Sequence, residues 1–148
     1  MASIHAFQKI LSHQERIKKN AQMEYQQSVD QFEAVATKLY QLLKKKEEVQ
    51  MQYNYYLEST GSVTTLATHH AYIDEINNKI KTIQVQVNQA RTQMEIKQAG
   101  LTEAHIEVKK FEKIVENKQL TEKNNVLYKE AKQLDETSMR QFLKNGIR

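Results

Sequence analysis

An alternation of four- and three-residue steps constrains this chain more than any other feature. From Phe7 it passes through Leu11, Gln14, Lys18, Ala21, Tyr25, Ser28, Phe32, Val35, Leu39, Leu42, Lys46, Val49, Tyr53 and Tyr56, and eleven of these fifteen residues are apolar or aromatic. A second run of the same length passes through Leu66, His69, Ile73, Ile76, Ile80, Ile83, Val87, Ala90, Met94, Lys97, Leu101, Ala104, Val108, Phe111 and Val115, with thirteen apolar residues. A 3.5-residue period is the a/d seam of a coiled coil, and the intervening Lys, Glu, Gln, Asn and Thr suit a solvated helix surface. No proline and only 3 glycines punctuate the 148 residues, so long helices are expected in place of a compact multi-element fold.

Between the two seams lies the one cluster of small turn-forming residues, Ser59 to Thr65. Gly61 is able to adopt the positive φ that ends a helix, while Ser62, Thr64 and Thr65 offer side-chain oxygens to the first N–H groups of the next one. The expectation is an all-α fold, a long antiparallel two-helix coiled-coil hairpin with the second helix overhanging. Helix 1 is expected over about residues 3–58 with Ser3 as its N-cap, the bend over 59–65 and helix 2 over about 66–140. The whole of 1–148 is read as a single hairpin in which facing residues sum to about 123. Gly100, inside helix 2, costs on the order of 1 kcal/mol relative to Ala and permits a gentle bend.

The second seam loses phase after Val115. Its next positions are Lys118, Glu122 and Asn125, and apolar residues resume elsewhere, at Leu120, Leu127, Ala131, Leu134 and Phe142. Residue 116 lies opposite Phe7 in the pairing, so the repeat fails where helix 1 runs out. Residues 117–148 are therefore read as an overhang projecting roughly 35 Å if helical to about 140. Its apolar stripe needs another surface to bury against; the alternative is a frayed, solvated end.

Composition excludes much. Cysteine and tryptophan are absent, which removes disulfides, thiol catalysis and cysteine zinc sites. Met1 to Leu11 carries one lysine and no long apolar run, unlike a signal peptide, and no stretch is apolar enough to span a bilayer, so a soluble protein is expected. The net charge of +4 sits mainly in residues 117–148, with 7 Lys/Arg against 4 Asp/Glu, too small an excess for a nucleic-acid binder. No phosphate-binding glycine loop, G-x-S-x-G or H-E-x-x-H occurs, and no enzymatic activity or cofactor is expected. His69 and His70 are adjacent and point about 100° apart, and His105 has Lys109 rather than a ligand at i+4, so no metal site is expected. Lys44, Lys45 and Lys46 precede Glu47 and Glu48 and read as a solvated face on which Lys46 snorkels. Tyr53, Tyr55, Tyr56, Tyr72 and Met51 gather near the bend, where interface and local packing account for them equally well.

Several segments, in their order around the bend, resemble the FliJ family of flagellar export proteins over nearly the whole chain. They are Glu24-Tyr25-Gln26-Gln27-Ser28-Val29, Phe32 to Leu39, Tyr72-Ile73-Asp74-Glu75-Ile76, Leu101-Thr102-Glu103, Glu107 to Glu112 and Leu134-Asp135-Glu136. The resemblance implies a non-enzymatic coiled-coil stalk and adaptor of the flagellar type III protein export apparatus. Its terminal end inserts into a hexameric export ATPase and promotes that assembly, and other surfaces meet the export gate, a membrane protein, through its cytoplasmic domain, and the export chaperones of filament-cap and hook-junction substrates. The implied location is cytoplasmic, peripheral at the inner face of the cell membrane beneath the basal body, with no direct membrane insertion. The implied ATPase contacts are Leu120, Leu127, Ala131, Leu134 and Phe142. The implied gate contacts are Lys38, Leu42, Lys45, Val49, Tyr72, Ile76, Lys79 and Ile83, which fall on d or g positions along one edge. At Lys45, Lys79 and Ile83 this chain departs from the aromatic, small and polar types of the family. Two other readings stand beside this one: a generic structural tether or dimerising rod, and a basic helical hairpin that binds RNA.

Overall fold

The computed structural model describes residues 3–59 and 62–146. Two helices account for nearly all of them: α1, Ile4–Glu58, and α2, Val63–Gly146, packed against each other as an antiparallel hairpin. Ser3 caps α1, its hydroxyl accepting from the Ala6 N–H at 3.3 Å. At the other end the Ser59 N–H donates to the Tyr55 carbonyl at 3.1 Å, completing the last turn. Ser62 caps α2: the Thr65 N–H donates to its hydroxyl at 3.2 Å, and the two hydroxyls lie 2.8 Å apart. One serine oxygen suffices to satisfy an orphan donor of the first turn, so α2 starts at Val63, ahead of the expected residue 66. It also runs past the expected end near 140, because nothing between there and Gly146 breaks it and Lys144 in the last turn complements the helix dipole. The turn assigned to Gly61 lies outside the described residues.

Two compact units divide the chain, Lys19–Thr102 with the bend, and Met1–Lys18 together with Glu103–Arg148. Within the first, the register follows from cross-helix contacts. Tyr53 faces His70 with ring centroids 6.4 Å apart, the Arg91 guanidinium lies 5.8 Å over the Phe32 ring, and Lys97 pairs with Glu24 at 3.2 Å. Two of these pairs meet the sum of about 123 and the third falls within two residues of it. In the second unit the Lys118 ammonium lies 4.9 Å over the Phe7 ring, in the same register.

The seams are where the periodicity places them. Every a and d residue of α1 from Phe7 to Tyr53 and of α2 from Leu66 to Val115 is at least half-buried, while Tyr56 is just exposed. Val49, Ile76, Val87, Ala104, Val108 and Val115 are the buried apolar residues. None reaches complete enclosure, since a two-helix seam covers each side chain from one side only. Two polar seam residues have partners: the buried Ser28 hydroxyl donates to the Tyr25 carbonyl at 2.6 Å, and Lys97 turns its ammonium to Glu24 at the rim. α2 passes through Gly100 as unbroken helix, and a Cβ there would meet nothing within 4 Å.

Candidate interaction surfaces

Most residues outside the seam are exposed, and the pattern of recessed and projecting groups distinguishes one face from another. Near the bend, in the unit Lys19–Thr102, the eight residues of the expected gate strip separate by depth. Lys38, Lys45, Tyr72 and Lys79 stand at g positions and are exposed. Leu42, Val49, Ile76 and Ile83 stand at d positions, and of these Val49 and Ile76 are only 4% and 3% exposed, spent on the helix contact itself. Leu42 and Ile83 are half-buried and reach the surface.

Those two form part of an open groove of about 580 Å³ between the helices, whose rims carry Lys38 and Gln41 from α1 and Glu75, Asn78, Lys79 and Thr82 from α2. Four of the eight strip residues therefore share one concavity. Tyr72 belongs to a smaller groove of about 350 Å³ with Thr64, Thr65, Thr68 and His69. Beside it the aromatic residues are layered: Tyr56 lies 5.1 Å from His69 and 5.9 Å from Tyr55. Met51, Tyr55 and Tyr72 remain exposed.

At the opposite end of α2, within the second unit, burial ends at Lys118 and every described residue from 119 to 146 is exposed. Leu120, Leu127, Leu134 and Phe142 are among the most exposed large apolar side chains of the protein. Lys118 occupies a d position, so Leu120, Leu127 and Leu134 fall at f, diametrically opposite the a/d seam, with Ala131 beside them at c. Leu120, Leu127, Ala131 and Leu134 do not prolong the surface that α1 covers but lie on the far face of α2, while Phe142 falls at g, beside the a/d line. The two-residue offset from Lys118 was the signal in the sequence for this rotation. Val126, Tyr128, Met139 and Leu143 are exposed as well; Met139 and Leu143 fall at the d and a positions of the extended seam register, and Val126 and Tyr128 flank it at e and g. Where α1 begins, Ser3, Ile4, His5 and Gln8 meet Asn117, Lys118, Thr121, Glu122 and Asn125 of α2 around a groove of about 720 Å³.

Among the described residues no group of three or more His, Asp or Glu is placed to hold a metal ion, and no helix is long and apolar enough to cross a membrane.

No solved structure matches the chain. By sequence, residues 3–146 match the flagellar FliJ protein family. The chain is also similar to the flagellar FliJ protein of Bacillus subtilis (strain 168), with 38% identity over 146 residues, covering 99% of each chain. With the family match spanning both helices and the overhang, the chain belongs to the flagellar FliJ protein family and is a flagellar export component.

Proposed function

We propose that the protein is a non-enzymatic stalk and adaptor of type III flagellar export, whose free end enters the ring of the hexameric export ATPase and promotes its assembly. The observation that carries this reading is the uninterrupted exposed helix from 119 to 146, with Leu120, Leu127, Ala131 and Leu134 on the face away from α1. At 1.5 Å per residue it spans about 40 Å, enough to thread a protein ring. Leu120, Leu127, Ala131, Leu134 and Phe142 make the apolar contacts there, and the basic residues of 117–148, 7 Lys/Arg against 4 Asp/Glu, meet acidic ring surfaces. A single helix has no sixfold symmetry, so inside a ring it contacts the subunits unequally and biases which one binds nucleotide next. At the bend end, the strip containing Lys38, Leu42, Lys45, Tyr72, Lys79 and Ile83 contacts the cytoplasmic domain of the export gate, while Val49 and Ile76 support it from within the seam. Export chaperones are further partners. The protein acts at the cytoplasmic face of the membrane without entering it.

The test compares ATPase stimulation by the full chain and by a chain ending at Glu116. Loss of stimulation in the shortened chain, with hairpin helicity retained, is the expected result; undiminished stimulation would overturn the assignment of the free end.

A further inference from the structure

The groove between α1 and α2 near the bend has a chemistry that specifies its occupant more closely than its position does. Its floor is apolar, made by Leu42 and Ile83, both half-buried and reachable from outside. Its α1 rim carries Lys38, and Lys45 follows one heptad along on the same g edge, about 10 Å away at 1.5 Å per residue. Neither ammonium has an ion-pair partner among the described residues. Across the groove Lys79 is held by Glu75 at 3.4 Å, with both side chains 59% exposed, so that pair is weak and open to exchange.

From this juxtaposition we propose that the groove binds an acidic amphipathic helix of a partner protein, which packs as a third helix over Leu42 and Ile83. Apolar residues one turn apart on the partner fill the floor. Carboxylates a heptad apart reach Lys38 and Lys45, and another takes Lys79 in place of Glu75. Helix-in-groove recognition uses this division, with apolar anchors for affinity and flanking charge for register. A lipid surface suits the site less well, because a bilayer presents phosphates over a plane while the apolar floor is recessed between two helices. The inference deepens the gate-contact reading above and rests on it for the partner's identity, not for the partner's chemistry.

The test uses a fluorescein-labelled, alanine-based helical peptide, with two leucines one turn apart and glutamates a heptad apart, and the same peptide with lysine replacing glutamate. Fluorescence anisotropy with the full chain is expected to show binding of the acidic peptide at low salt and none of the basic one. In the double variant Lys38→Glu/Lys45→Glu the acidic peptide weakens by roughly tenfold or more and the basic peptide gains affinity, the signature of matched charge. Both substituted side chains are exposed, so circular dichroism should be unchanged. Equal binding of the two peptides, no binding of either, or capture of anionic phospholipid vesicles in place of the acidic peptide overturns the proposal. The gate's cytoplasmic domain forms a separate arm. If it fails to bind while the acidic peptide behaves as described, the gate reading falls and the groove assignment stands. If it binds equally well to the wild type and the double variant, the gate reading stands and the groove assignment falls.

Discussion

Single positions in this hairpin have consequences that follow from what surrounds them. Gly100 lies in helical backbone with open space where an added methyl group would stand, so Gly100→Ala removes backbone freedom from the unfolded chain without meeting any atom. It is expected to stabilise the protein by about 1 kcal/mol, read as a higher midpoint in urea unfolding followed by circular dichroism. Ile76 is the opposite case. At 3% exposure it is enclosed in the seam, and Ile76→Ala should cost about 2 kcal/mol or more in the same measurement. Ser62→Ala removes the oxygen that accepts the Thr65 N–H and should cost about 1 kcal/mol while fraying the first turn of α2. Tyr72, 40% exposed, is free of such obligations. Tyr72→Ala is expected to leave helicity and ATPase binding intact while weakening gate binding in a pull-down; a collapse of helicity would return the ring to the core.

The elements differ in what maintains them. Within each compact unit α1 and the facing part of α2 support each other through the seam, whose residues are at least half-buried. The segment 119–146 has no such cover, yet remains helical because it contains no breaker before Gly146 and is rich in Lys, Glu, Gln and Leu, residues that lose little freedom in a helix. It lacks tertiary support, and an isolated helix of this length is marginal in water. Amide exchange is therefore expected to be fast over 119–146 and slowest around Ile76 and Val87. Leu127→Asp combined with Leu134→Asp should leave the stability of the hairpin within about 0.5 kcal/mol of wild type, since both side chains are exposed on the far face, while abolishing ATPase stimulation. A large loss of stability in that variant would show that the stripe packs within the protein.

At the level of the whole molecule, a stalk that presents its stripe to a ring has no need of a second copy, and sedimentation at micromolar concentration is expected to return a monomer. A dimer that disappears on truncation at Glu116 would favour the tether reading instead. Much of this organisation was legible in the sequence. A seam that repeats every 3.5 residues imposes two-helix packing whatever its neighbours are, so the positions from Phe7 to Tyr53 and from Leu66 to Val115 could be assigned to the contact from spacing alone. The loss of phase after Val115 likewise marked the level at which α1 begins. The tertiary structure decided how deeply each seam residue is covered, because that depends on the size of the residue opposite and on how closely the two backbones approach. Periodicity treats Val49, Ile76, Leu42 and Ile83 as equals; packing encloses the first pair and leaves the second at the floor of a groove whose lysine rim comes from both helices. A concavity between two segments distant in sequence exists only once they are brought together, and that is why the helices and their register could be read from the chain while the depth of the groove could not.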